Sequence, residues 1–143
     1  MGLLTAPQEV IQVSGERGSI LVTELENQDV LKGAFGALPP HLEFFYVAIL
    51  KAEPPGHLNA TPIEVWVNGV RIGCVDESQS PRYWRQLREM SALVSCGCIV
   101  RTDGSSNVIW VRLSLPETME LRPTTPVAPD IERFVHRLQV PPV

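Results

Sequence analysis

Residues 61–75, which read TPIEVWVNGVRIGCV, constrain the fold of this chain more than any other segment. Asn68-Gly69 at the centre tolerates the two positive φ angles of a type I′ turn, whose twist matches that of paired strands. Alternation along the first strand separates an apolar face from a face that carries Glu64 and Trp66. The segment therefore predicts an antiparallel hairpin with one buried face, and Gly73 predicts a bulge or a close approach.

Other apolar runs of period two predict further short strands. These runs occupy residues 9–13, 19–25, 44–51, 94–102 and 108–115. The polar segment DGSSN at 103–107 joins the last two runs, so we expect a second hairpin there. Its register is left open by the sequence, and the apolar face includes Val108 with either Trp110 or Val111.

Two stretches between these runs have helical patterns. Residues 27–38 predict a weak helix, because Gly33 and Gly36 lower its stability and Pro39-Pro40 ends it. A second helix begins at 78–81 and is amphipathic. Its apolar face and its basic strip are formed by Tyr83, Leu87 and Met90, and by Arg82, Arg85 and Arg88.

The length and composition indicate one compact domain with a C-terminal extension. A chain of 143 residues can form a hydrophobic core large enough to fold without a structural metal or disulfide bonds. We expect a β-barrel domain at 1–116, then a Pro-rich linker and a short helix at 117–143. The net charge of −4 argues against a surface that is basic throughout, but it permits a local basic patch.

The chain carries neither a secretion signal nor a recognisable cofactor motif, so we expect a cytoplasmic protein with no cofactor, metal or membrane partner. The odd cysteine count of 3 fits reduced thiols. Cys96 and Cys98 lie two apart on a predicted strand, which places both thiols on one face. We interpret them as small buried residues rather than zinc ligands.

The hairpin segment resembles the HIRAN domain, particularly its stand-alone bacterial versions. That family has a pattern like N-A-V-A-V-x-V-x-G-x-x-V-G-Y-L, and its two glycines match Gly69 and Gly73 of T-P-I-E-V-W-V-N-G-V-R-I-G-C-V. The likeness covers residues 9–115 and includes VSGE at 13–16, the arginine-bearing helix and the closing strand VRLSL.

The resemblance implies a mainly β (α+β) fold, a small OB-like barrel with one or two packed helices and a C-terminal arm. Some members hold the 3′ end of single-stranded DNA with aromatic residues, a basic residue and an Asp-Pro-Asn-Ala loop. This chain has Arg17-Gly18-Ser19 where the aromatics are expected, and residues 59–62 read NATP where the loop is expected.

The leading functional hypothesis is a non-catalytic module that binds single-stranded DNA or DNA ends. Arginines would contact phosphates while one ring stacks on a base. The candidate residues are Arg17, Arg71, Arg82 and Arg85 for phosphates, and Trp66 or Tyr83 for the base. The alternative without a function is that the arginines form an ordinary solvated face of the helix and that Trp66 covers the barrel.

The alternative hypothesis is a protein-interaction adaptor or structural component. The C-terminal segment carries an apolar stripe with the spacing of one helix face, formed by Ile131, Phe134, Val135 and Leu138. This stripe would bind a partner protein, or it would close the bottom of its own barrel. Catalysis is not expected, because the three histidines are scattered and no catalytic motif occurs.

Overall fold

The computed structural model describes residues 10–57, 60–89 and 93–117 of the chain. Seven strands and two helices follow one another in this part of the sequence. They are β1 (Val10–Gln12), β2 (Ile20–Thr23), α1 (Gln28–Phe35), β3 (Glu43–Ala52), β4 (Ile63–Val67), β5 (Val70–Val75), α2 (Ser80–Glu89), β6 (Leu93–Thr102) and β7 (Val108–Ser114). The predicted linker and C-terminal helix at 117–143 lie almost wholly outside the described residues.

Six of the strands close into an antiparallel barrel in the order β6-β3-β4-β5-β2-β7, with β7 pairing back to β6. Strand β1 lies outside this ring and pairs in parallel with the first residues of β6. Closure matters because it pairs strand edges that would otherwise be open to other chains. The expected mainly β (α+β) barrel with packed helices is confirmed.

The β4–β5 hairpin forms as its sequence predicts. Asn68 and Gly69 have φ angles of 50° and 77°, as a type I′ turn requires. Gly73 combines both expected roles. The register shifts beside it, and a β-carbon there would lie 2.7 Å from the Thr23 carbonyl oxygen. The absence of a side chain at this position therefore lets β2 pack closely on β5.

Helix α1 closes one end of the barrel. The Asn27 side chain accepts a hydrogen bond from the Val30 amide and caps the helix at its start. The helix ends at Gly36, which has a φ of 78°, so it is shorter than the predicted 27–38 and stops before the two prolines. The Tyr46 hydroxyl donates to the Phe35 carbonyl at 2.8 Å, which fixes the helix end on β3.

Helix α2 closes the opposite end, beside the last residues of β3 and β7. The Tyr83 hydroxyl donates to the Pro116 carbonyl at 2.8 Å, and the Trp84 indole donates to the Glu53 carbonyl at 2.8 Å. Tyr83 and Leu87 are buried, so they form the apolar face that their spacing predicts. The two helices therefore lie at opposite ends of the barrel, about a strand length apart.

The three cysteines are free and buried. Cys96 and Cys98 lie on the inward face of β6, where they pair with Ala48 and Tyr46 of β3. Burial raises the pKa of Cys96 to about 12, which keeps this thiol protonated and unreactive at neutral pH. Their placement agrees with the prediction of small buried residues.

Candidate functional site

The structure places Tyr83 in the barrel core. Its side chain is 1% exposed, and its hydroxyl is held by Pro116. A buried ring whose polar end is already bonded has no open face for a base. Tyr83 therefore supports the fold, and the structure does not present its ring for the base stacking that the sequence suggested for either Trp66 or Tyr83.

Arg71 lies on the outer wall of the barrel, where carboxylates surround its guanidinium. Its Nε donates to Glu64 and its Nη1 to Glu26, both at 2.6 Å. Trp66 lies directly opposite Arg71 on β4 and packs with Val10 and Ile49. Both residues proposed for nucleic-acid contact here are therefore engaged within the protein.

The carboxylates around Arg71 shift one another's pKa values. Burial raises the pKa of Glu64, but hydrogen bonds with Glu53 and Arg71 outweigh it, so the pKa is lowered overall. A hydrogen bond with Glu64 raises the pKa of Glu53 in return. The buried indole N–H of Trp66 lies near this pair but makes no hydrogen bond within the described part of the chain. The negative charge here disfavours a phosphate.

Arg82 and Arg85 are exposed on α2, at one end of the barrel. Arg17 lies in the loop before β2, and its guanidinium contacts Glu43 and Phe45 near the start of β3. Arg17 and Arg71, two members of the predicted phosphate-binding set, are therefore each paired with carboxylates of the barrel wall.

The structure instead groups a different set of surface residues around Arg17, which we call the arginine–aromatic patch. The pairing of strands places its other members on the outer faces of β3, β6 and β7. The patch consists of Arg17, Glu43, Phe45, Arg101, Trp110 and Arg112.

Strand register creates two rows of side chains within the patch. In one row Phe45 pairs with Ile99, and Ile99 pairs with Arg112. In the next row Glu43 pairs with Arg101, and Arg101 pairs with Trp110. Residues directly opposite one another in antiparallel strands point to the same side of the sheet. Both rows therefore lie side by side on the outer face of the sheet, where the loop at Gly18 covers Ile99, which is 4% exposed.

A bulge determines that Trp110 belongs to this surface. The register of β6 and β7 shifts between Arg101 and Thr102, so Thr102 pairs with Val108 while Arg101 pairs with Trp110. Val108 and Val111 are then buried, Ile109 is exposed, and Trp110 is half-buried on the outer face. The choice that the sequence left open between Trp110 and Val111 is settled in favour of Val111 in the core.

The loop before β2 is held tightly against the barrel wall, which positions Arg17. A β-carbon on Gly15 would lie 2.1 Å from the Leu115 carbonyl carbon, so only glycine allows this approach. Gly18 has a φ of 63°, and its amide donates to the Ser114 hydroxyl at 3.1 Å. Arg17 lies between Gly15 and Gly18, so the loop holds it against the other members of the patch.

Cations and rings are in direct contact within the patch. The Arg17 guanidinium lies 4.7 Å from the centroid of the Phe45 ring, and the Arg112 guanidinium lies 5.2 Å from the Trp110 ring. Phe45 is nevertheless 65% exposed, which is unusual for a phenylalanine. Within the patch three arginines face the single carboxylate of Glu43, so the surface is locally positive although the chain is acidic.

Sequence reasoning found Arg17 but missed the other members of the patch. Period-two alternation already implied that Phe45, Arg101 and Arg112 leave the core on their strands. The missing information was that β3 pairs with β6 and that β7 carries a bulge. Both are long-range features that no local pattern specifies.

Comparisons of the chain with protein-family models, with curated proteins and with solved structures each found no match. Over the ranges 10–57, 60–89 and 93–117, no helix is long and apolar enough to cross a membrane. The predicted partner-binding stripe, Ile131, Phe134, Val135 and Leu138, lies outside the described residues and stays a prediction.

Proposed function

We propose that this protein binds single-stranded nucleic acid through the arginine–aromatic patch. The observation that carries the proposal is the exposed Phe45 ring beneath the Arg17 guanidinium, with Trp110 and Arg112 repeating the arrangement two strands away. Unpaired bases stack on aromatic side chains and on arginine planes, and the same arginines neutralise phosphates. No catalytic step is assigned to this surface.

The chemistry of the patch favours unpaired strands over duplex. Stacking on a ring requires the face of a base, and a duplex hides these faces between base pairs. Each stacked base contributes about 1–3 kcal/mol to affinity, with little dependence on sequence. Two ring–arginine pairs on the outer face of the barrel therefore suit a short single strand that crosses β3, β6 and β7.

The resemblance to HIRAN domains supports the same proposal. In the sequence, Arg17 stands where that family has aromatic residues, and no aromatic residue follows it locally. The fold supplies rings at that point from elsewhere in the chain, since Phe45 on β3 lies under Arg17. Membership in this family, and with it a preference for a 3′ end, remains part of the proposal.

The test is a fluorescence-anisotropy titration with a labelled eight-nucleotide single strand at two salt concentrations. Two triple variants with equal loss of charge are compared: R17A/R101A/R112A in the patch and R82A/R85A/R88A on α2. Three phosphate contacts predict a slope of about −2 for log K against log salt with single strands. The patch variant should lose binding and most of that slope, while the helix variant should keep both.

Two outcomes contradict the proposal. One is an absence of binding at low salt, and this result would turn attention to a protein ligand for the same surface. The other is loss of binding in the α2 variant with the patch variant unaffected. A strand with a blocked 3′ hydroxyl, titrated in parallel, tests the end preference that the HIRAN resemblance implies, independently of strand binding itself.

A further inference from the structure

Glu43 is the one carboxylate of the arginine–aromatic patch, and its position calls for an explanation. Its Oε2 accepts a hydrogen bond from Arg17 Nη2 at 2.9 Å, and its side chain stays 40% exposed. It lies two residues before Phe45 on the same face of β3 and directly opposite Arg101. A negative group here opposes phosphate binding, so a surface built for phosphates alone gains nothing from it.

We propose that Glu43 reads the base that stacks at Arg17 and Phe45, and that it makes the patch selective for guanine. This inference rests on the proposed binding of single strands. Arg17 touches both the Phe45 ring and the Glu43 carboxylate, so the carboxylate lies at the margin of the stacking position. A base stacked there presents an edge to Glu43.

The chemistry of a carboxylate determines which base fits. An ionised carboxylate only accepts hydrogen bonds, and its two oxygens accept from two adjacent donors. Guanine offers two such donors side by side, its ring N1–H and its 2-amino group. Cytosine and adenine offer one amino group beside a ring acceptor, and thymine offers one N–H between two carbonyl oxygens. Guanine alone therefore satisfies both oxygens without repulsion.

The structure leaves the carboxylate free to act in this way. Among the described residues, Glu43 bonds to Arg17 through Oε2, and Oε1 makes no hydrogen bond or ion pair. The bond from Arg17 also fixes the orientation of the group, which lowers the entropy lost when a base binds. A well-placed bidentate contact discriminates between bases by roughly fivefold or more, and we expect about tenfold at this exposed site.

The test uses thymidine octamers with one central substitution, either guanine, inosine or cytosine, and a uniform thymidine octamer as reference. Inosine keeps N1–H but lacks the 2-amino group, so it removes one of the two predicted contacts. The protein is compared with Glu43→Gln and with Glu16→Gln, which removes an exposed negative charge from the residue that precedes Arg17.

We expect the native protein to bind the guanine octamer about tenfold more tightly than thymidine, with inosine in between. Glu43→Gln should reduce this preference to below twofold while binding of the thymidine octamer stays equal or improves. Glu16→Gln should keep the preference. Equal binding of all four octamers by the native protein, or an unchanged preference in Glu43→Gln, would overturn the inference and leave strand binding intact. Absence of binding to any octamer would overturn both.

Discussion

The guanidinium of Arg17 lies over the ring of Phe45, 4.7 Å from its centroid, although both side chains remain more than half exposed. Neither group is needed to fill the core, because Phe45 points away from it. An exposed phenylalanine gains little for stability and exposes apolar surface to water. The proposed binding of single strands rests on this pairing.

Substitutions of Phe45 separate stacking from general apolarity. We expect Phe45→Leu to weaken single-strand binding by about 1–3 kcal/mol, the contribution of one stacked base, and Phe45→Trp to retain or improve it. Because the ring is 65% exposed, both variants should unfold within about 0.5 kcal/mol of the native protein. Anisotropy titration and urea denaturation provide the two measurements. Equal affinity for the leucine and tryptophan variants would rule out stacking at this ring.

Tyr83 provides the opposite case, a ring whose role lies in the fold. Tyr83→Phe removes the hydroxyl that donates to the Pro116 carbonyl and should lower the free energy of unfolding by about 0.5–1.5 kcal/mol. Strand affinity should not change, since the ring is buried. Urea denaturation measures the first effect and anisotropy the second. A variant of native stability with impaired binding would restore Tyr83 as a site residue.

Local patterns predicted the elements of this fold because each is encoded by a few neighbouring residues. Asn68-Gly69 specifies its turn by backbone conformation, and the burial of Val65 and Val67 follows from alternation. The end of α1 was placed too late because Gly36 adopts a positive φ and stops the helix before the prolines are reached.

The candidate site could not be predicted in the same way, since it is assembled by pairing between distant strands. Arg17 meets Glu43 across a separation of 26 residues, and the row through Arg101 depends on three strands coming together. The helix arginines are close in sequence, but Arg82 and Arg85 are not members of the arginine–aromatic patch. Clustering in sequence is a poor guide to charge clustering on a barrel, where adjacent strands need not be consecutive.

Two glycines make a matched test of close packing. At Gly73 a β-carbon would lie 2.7 Å from the Thr23 carbonyl oxygen and 2.9 Å from a methyl group of Val22, so Gly73→Ala should destabilise by about 1–3 kcal/mol. Gly33 lies in α1 with nothing within 4 Å of its would-be β-carbon, so Gly33→Ala should stabilise by about 0.5–1 kcal/mol. Urea midpoints of the two variants should move in opposite directions. A shift in the same direction would contradict the packing described for β2 on β5.

Arg71 and its carboxylates predict a pH-dependent contribution to stability. Arg71→Met should destabilise the protein by about 1–2 kcal/mol at pH 7, a figure reduced for the partial exposure of the guanidinium. The pKa of Glu64 is lowered in the fold from its ordinary 4.5, so its contribution is present above that value and is lost as the pH falls through the folded-state pKa. The loss of stability caused by Arg71→Met should therefore shrink toward pH 3.

Urea denaturation at pH 7 and at pH 3 measures this loss of stability. Arg85→Met, on the exposed face of α2, is the control that changes stability little at either pH. A cost that is equal at pH 7 and pH 3 would mean that Arg71 stabilises the barrel through its aliphatic packing rather than through its charge.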